Sequence, residues 1–366
     1  MGDQPMRLGV LTGGGDCPGL NAVIRAVVRR ELRDFGGSVF GFHDGWRGVI
    51  ENRGEDLSVL RLRGTLPRGG TILGTSRDHP YMTPDGTDRV RRTMTDRGLD
   101  ALVVIGGDGT LSCSRQLDTD GIANIIGVPK TIDNDIGGTE RTFGFDTAVH
   151  IATEAIDRLH TTAESHDRIM VVEVMGRHVG HIAAWAGIAG GATMTLIPEE
   201  PFDITEVCTR LVDRHASGKY ASIVVVAEGA RPIEGTLDIP EPEVDRYGHK
   251  VLGGISRVVA GEIEQRTGFD TRVTILGHTQ RGGTPTAFDR VLCTRFGVAA
   301  VDAAHKGQFG HMVAIHADKI HVVPLDEAVG PGLKYVNPQL WDAAKVFFPP
   351  AHHLSAHSAP VDHPSS

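Results

Sequence analysis

Short runs of apolar residues, many of them β-branched, recur along the chain and are separated by stretches with helical spacing. Runs at 7–12, 39–43, 101–105, 123–128, 169–174, 222–227 and 273–276 predict strands, as do two later ones at 312–316 and 320–323. Apolar positions recurring every three or four residues predict helices over 20–33, 88–97, 145–163, 179–189, 204–215, 254–266 and 288–304. Most of the strand runs are apolar at every position, so both of their faces must be covered. Strands of that kind alternating with helices predict an α/β class, with parallel-rich sheets flanked by helices. Ligands of such sheets gather at the carboxyl ends of the strands. Most Gly and Asp clusters of this chain fall there.

A chain of 366 residues is long for one domain and suits two lobes that share a cleft. A boundary is expected near 144–150, where a loop-rich stretch gives way to a long helix. Residues 349–366 carry four His and four Pro without apolar periodicity, which predicts a disordered tail.

Composition narrows the function. The 47 Gly are about twice the usual share of roughly 7 %. They sit in pairs and triplets at the ends of apolar runs, as tight turns and close backbone approaches to a ligand require. Net charge is −9 with no basic stripe, and aromatics are 5 %, so nucleic acid is not an expected partner. Cys17, Cys113, Cys208 and Cys293 are far apart and lack paired metal spacing, which predicts free thiols in a reducing, cytoplasmic setting. The first ten residues, with Asp3, Gln4 and Arg7, do not read as a secretory leader. No run approaches the roughly 18 apolar residues of a spanning helix, so no membrane contact is expected.

Three motifs carry chemistry. Gly13-Gly14-Gly15-Asp16-Cys17-Pro18-Gly19 lies between a strand and a helix, where backbone N–H groups can approach phosphate oxygens. It matches neither the dinucleotide nor the Walker A pattern, and Gly-rich turns also serve close packing alone. Ile105-Gly106-Gly107-Asp108-Gly109-Thr110 again follows a strand. Asp108 there suits Mg²⁺ bridged to phosphates, with Gly109 and Thr110 as donors to them; equally, Asp108 suits a helix N-cap without chemistry. Val128-Pro129-Lys130-Thr131-Ile132-Asp133-Asn134-Asp135 packs two carboxylates, an amine and a hydroxyl into one strand-end loop. A hydroxyl that attacks phosphorus must lose its proton, and Asp133 or Asp135 can accept it. Like charges so close should push the two pKa values apart. An Asx turn explains Asp-Asn-Asp but leaves Lys130 and Thr131 without a reason.

These blocks occur in order with two more, Val172-Glu-Val-Met-Gly-Arg177 and Leu276-Gly-His-Thr-Gln-Arg-Gly-Gly283. As a set, over residues 6 to 325, they resemble the 6-phosphofructokinase family. The resemblance implies two α/β lobes with the site between them, residues 1–144 plus about 280–330 binding ATP and Mg²⁺. Residues 145–279 plus about 331–348 would bind fructose 6-phosphate. It further implies Asp133 as general base, Asp108 as the Mg²⁺-linked carboxylate and Asp135 in support. Gly15 and Arg77 would hold donor phosphates, Arg177 would stabilise the transferring phosphoryl group, and Thr131 would contact the reacting centre. Met175, Gly176, Glu228, His278 and Arg281 match the sugar-phosphate pocket. Arg168 and Arg272 match arginines delivered from a neighbouring subunit, which implies a homotetramer with shared sites. Taken alone, Arg168 and Arg272 also read as edge charges and His278 as an interior histidine.

Donor signals are mixed. Gly109 resembles ATP-dependent members and Lys130 pyrophosphate-dependent ones. A carboxylate after Asp108 would repel the α-phosphate of a nucleotide, whereas Lys130 excludes neither donor, so ATP is expected. Arg25 and Arg29 lie where allosteric bacterial members carry effector arginines, and equally suit a solvated helix face. A lipid or NAD kinase, and a non-catalytic sensor on the same fold, are weaker alternatives. The first lacks the Lys130–Asp135 block and the second would lack Asp133 or Asp108.

Overall fold

A computed structural model describes residues 4–239, 253–330 and 332–350. Most of the predicted tail, from residue 351 on, lies outside the described residues. The strands are β1 (Arg7–Thr12), β2 (Ser38–Phe42), β3 (Gly54–Asp56), β4 (Ala101–Gly106), β5 (Ile125–Pro129) and β6 (Ile169–Val174), then β7 (Met194–Leu196), β8 (Ser222–Ala227), β9 (Thr271–Ile275), β10 (His311–His316) and β11 (Lys319–Pro324). They form two sheets. The larger has the order β11-β10-β5-β4-β1-β2-β3, and the smaller β7-β8-β6-β9.

Every residue of β4, β5, β6 and β8 is buried, as runs apolar on both faces require. These strands pair in parallel, while β3 and β11 close the two edges of the larger sheet in antiparallel fashion. The chain leaves the larger sheet after β5, builds the smaller one, and returns as β10 and β11. Register sets the carboxyl ends level, with Thr12 opposite Ile105 and Gly106 opposite Pro129. The three motif loops therefore open on one edge.

Most predicted boundaries lie within one to three residues of the observed ones. The helix expected over 20–33 differs: it runs Leu20–Arg30 and passes into a wide turn at Glu31–Phe35. Glu31 is drawn inside there, accepting from the Met6 N–H at 3.2 Å and facing His305 Nε2 at 2.7 Å. Helices Trp46–Ile50, Leu325–Val329 and Pro338–Lys345 and strands β3 and β7 are additions, too short to show a period. All four cysteines are buried and unbridged. No helix among the described residues is long and apolar enough to cross a membrane.

Helices Leu20–Arg30 and Ala287–His305 pack closely because Gly297 lets their backbones meet. A Cβ there would lie 2.6 Å from Ala26 Cβ and 2.7 Å from the Val23 carbonyl oxygen. Buried Asp289 ties the second helix to the start of helix Phe145–His166, accepting from the Gly144 N–H at 3.0 Å and the Thr147 N–H at 2.9 Å. Gly297→Ala should therefore destabilise, by about 1–3 kcal/mol from overpacking, against the gain of about 1 kcal/mol usual for this change inside a helix. Thermal unfolding checks this, and a Tm equal to or above the parent's would contradict it.

Candidate active site

The Gly-rich loop after β1 is held from three sides. Gly13 N–H donates to the Ile105 carbonyl at 2.9 Å and Gly14 N–H to the Ser76 carbonyl at 3.0 Å. Thr75 Oγ1 donates to the Gly14 carbonyl at 2.6 Å. Gly14 has φ 77, a conformation that L side chains rarely adopt. Among the described residues the Gly15 N–H has no hydrogen-bond partner, so it is available to an anion. Thr110 is buried, and its side chain fills the space where Cβ atoms on Gly13 and Gly106 would sit. It thus packs under the loop as well as opening the helix. Exposed Arg77 follows directly on the segment that clasps Gly14.

Lys130 is buried, and its ammonium donates to the Gly15 carbonyl. Burial lowers its pKa. In the sequence Lys130 is a donor signal that excludes neither donor; the structure seats its ammonium as a brace under the loop. Gly109 is different. A Cβ built on it meets no atom within 4 Å, so a side chain there would project into open space.

The carboxylate loop leaves β5 with the Lys130 N–H bonded to the Gly106 carbonyl at 2.9 Å. Thr131 Oγ1 accepts from the Asp133 N–H at 3.1 Å, and the Thr131 carbonyl accepts from Thr142 Oγ1 at 2.7 Å. Asn134, between the two carboxylates, is buried with φ 54. Asp133 Oδ1 and Asp135 Oδ1 are buried without a hydrogen-bond partner among the described residues. Burial first, then Asp135, raises the Asp133 pKa to about 7, while Arg281 and Lys130 act the other way. Asp108 is raised by burial and by Asp135. Its side chain makes no cap bond, since Gly107 is the N-cap residue, so the capping alternative fails.

Buried carboxylate oxygens without partners, gathered at a strand edge, are hard donors suited to Mg²⁺. The described residues hold no cluster of three His, Cys, Asp or Glu that would cage a metal outright. That combination fits an ion carried in by phosphates and held by one or two carboxylates.

The second sheet supplies the facing wall. Gly176, at φ 143, turns the chain after β6; a Cβ there would be 2.7 Å from the Val179 carbonyl oxygen. The turn is held by the Glu228 N–H to the Val174 carbonyl at 2.8 Å and the Gly229 N–H to the Gly176 carbonyl at 3.1 Å. Met175 N–H reaches buried Gln280 at 3.4 Å. Burial raises the Glu228 pKa, opposed by the Gly176 N–H and Arg177. His278 is exposed, so the interior-histidine alternative fails. Arg281 reaches the Asp16 carbonyl at 3.3 Å, and its guanidinium lies 2.9 Å from where a Gly15 Cβ would be. It joins the two walls.

Two predicted residues do not join them. Arg168 lies just before β6 and Arg272 near the start of β9, at the opposite end of the sheet from Arg177, and both pair with Asp270. Sequence reading also missed Lys334, whose ammonium sits behind Asn134 at 3.0 Å and whose pKa burial lowers to about 7. Arg25 and Arg29 line a separate cavity of about 510 Å³ with Arg63 and Leu60.

Residues 7–304 match the family model described as phosphofructokinase. The chain is 54 % identical over 347 residues to the ATP-dependent 6-phosphofructokinase of Corynebacterium efficiens, covering 94 % of this chain and 99 % of that one. It is also 54 % identical over 343 residues to the pyrophosphate–fructose 6-phosphate 1-phosphotransferase of Streptomyces coelicolor, covering 94 % and 100 %. The T-state phosphofructokinase of Pichia pastoris superposes with a TM-score of 0.77 at 32 % identity over 95 % of this chain. The chain spans only 36 % of that longer one.

A carboxylate whose folded pKa is raised destabilises the fold once ionised. The cost is absent below the unfolded value near 4, grows as pH rises, and is complete above about 7. Asp133→Asn should therefore raise Tm at pH 8 by a few degrees, on the order expected for a kcal/mol or two. The difference should shrink as pH falls from 7 towards 4. Equal Tm values across that range would remove the strain assigned to Asp133.

Proposed function

The chain belongs to the phosphofructokinase family, and on that premise we propose that it phosphorylates fructose 6-phosphate at the 1-hydroxyl, giving fructose 1,6-bisphosphate in glycolysis, with ATP as donor. The observation that carries this reading is Asp133: a partnerless carboxylate oxygen, poised near neutral pH, beside a loop with an open backbone donor. A general base is most effective when its pKa lies near the working pH.

In this reading Asp133 takes the proton of the attacking hydroxyl, and Thr131 orients Asp133 through its backbone N–H. The Gly15 N–H, Arg77, Gly109 and Thr110 surround the donor phosphates. Mg²⁺ arriving with those phosphates would be held by Asp108 with Asp135 beside it, and supplies charge neutralisation. Arg177 balances the charge on the transferring phosphoryl group, a purely electrostatic task in this chemistry. Met175, Gly176, Glu228, His278 and Arg281 form the sugar-phosphate pocket. Residues 1–144 with about 280–330 act as the donor lobe, and 145–279 with about 331–348 as the sugar-phosphate lobe. Four buried free thiols support a cytoplasmic setting.

The donor rests on Gly109, because relatives at equal identity carry both donor names. The open space around it supports a nucleotide, and Lys130, bound to Gly15, steadies the loop for either donor. A donor panel at fixed fructose 6-phosphate and Mg²⁺ should show turnover with ATP and little with pyrophosphate. Gly109→Asp should remain folded and lose about 100-fold in kcat/KM for ATP, the effect of several kcal/mol of like-charge repulsion. Faster turnover with pyrophosphate by the parent would overturn the assignment.

Arg168 and Arg272 lie away from their own chain's pocket, which supports a homotetramer whose subunits exchange them for binding of the 6-phosphate. Mixing Arg272→Ala chains with Asp133→Asn chains should then restore part of the activity that each lacks alone. Absence of recovery, with subunit exchange demonstrated by mass, would sink the shared site.

A further inference from the structure

The carboxylate loop is supported from behind by a residue 200 positions further along the chain. Lys334 Nζ donates to Asn134 Oδ1 at 3.0 Å, to the Thr139 carbonyl at 2.9 Å and to the Glu140 carbonyl at 3.1 Å. When protonated, the ammonium has three protons to donate, one for each of these acceptors. The Lys334 backbone N–H adds a fourth tie, to the Asp135 carbonyl at 3.0 Å. The same segment is anchored on the other side. The Lys334 carbonyl faces His181 Nε2 at 2.9 Å, and the Val336 N–H donates to Glu199, which also accepts from Gly180. His181 opens the helix that follows the Met175–Arg177 turn.

Asn134 is the point on which this support acts. With φ 54 it occupies the left-handed region, which most non-glycine residues avoid and which asparagine, with its short polar side chain, tolerates better than most. Its amide oxygen is held by the Lys334 ammonium and by the Thr142 N–H, both at 3.0 Å. The residues on either side are Asp133 and Asp135, so the turn at Asn134 sets where both carboxylates point. A half-buried ammonium is a costly filler where an apolar chain of the same length would pack. Its set of bonds to one loop indicates orientation as its task.

We propose that Lys334 is a positioning residue for the reaction. By holding Asn134 in its left-handed turn it fixes the direction of Asp133 and Asp135 relative to the Arg177 wall. The segment around Lys334 thereby belongs to the working parts of the site. This inference rests on the phosphoryl-transfer reading of that loop, and the two fail differently. A parent enzyme inactive on fructose 6-phosphate with either donor would end the reading, whereas an ordinary kcat in the variants below would end the inference.

The experiment is a steady-state comparison of Lys334→Met, Asn134→Gly and the double variant, with Tm recorded for each. Lys334→Met should lower kcat by about 10- to 100-fold, the effect of a catalytic group displaced by about 1 Å. KM for fructose 6-phosphate and for ATP should change less than about threefold, a split that marks loss of transition-state alignment. Because glycine accepts positive φ without support, Lys334→Met should cost little more in the Asn134→Gly background. Full additivity of the two changes, or an unchanged kcat in Lys334→Met, would overturn the proposal. Should Lys334→Met fail to fold, Asn134→Ala tests the same link with Lys334 in place. A kcat-selective loss there supports the proposal, and a parental kcat overturns it.

Discussion

Three carboxylates can share one strand edge only if the loop that carries them is held by groups other than those carboxylates. Asp133 and Asp135 stand two residues apart, and each of Asp133 and Asp108 is raised by burial and by Asp135. Left to themselves, ionised groups so placed would separate and hydrate. The holding is done by backbone groups, hydroxyls and one ammonium: Lys130 N–H on Gly106, Thr142 on Thr131, and Asn134 clamped by Thr142 and Lys334. Two carboxylate oxygens are thereby kept buried and unpartnered. Polar groups in that state are stabilised by whatever binds next, a proton, a metal ion or a hydroxyl.

The same economy governs the donor side. Lys130 and Arg281 are cations beside Asp133, yet each also holds the Gly-rich loop, one through the Gly15 carbonyl and the other through that of Asp16. Thr110 fills the floor beneath Gly13. A side chain at Gly15 would displace the Arg281 guanidinium, and with it the contact between the two walls. Glycine at Gly15 leaves room for that close approach, while at Gly109 the space is open and any constraint must come from the ligand.

What was legible in the sequence follows from this division. Strands apolar on both faces announce themselves, and so do the Gly and Asp clusters that end them, which is why the carboxyl edges and their loops were found. β3 and β7, three residues each, show no period and were missed. Local pattern also fails wherever a role depends on a distant contact. Lys334 looks like any surface lysine until the fold carries it behind Asn134. Nothing in the sequence ties Lys130 to the Gly15 carbonyl, and Arg281 reads as a residue of one wall until it touches the other. Exposure of His278 and the uncapped position of Asp108 likewise depend on the folded chain, and both removed alternatives that the sequence left open.

Arg168 and Arg272 set a limit on what one chain can do. Arg168 precedes β6 and Arg177 follows it, so the six residues of the strand, at about 3.3 Å each, put them about 20 Å apart. No rotamer brings both onto one phosphate. Arg272 lies alongside, opposite Met170 in the register, on the edge strand of the smaller sheet. One carboxylate, Asp270, pairs with both guanidinium groups. On the shared-site reading, a phosphate bound mainly by a neighbouring chain would share these two arginines with Asp270. Asp270 then keeps the two arginines aligned while that phosphate is absent, and competes with it when present. Affinity for the sugar phosphate would depend on how the chains are assembled as well as on the pocket in each.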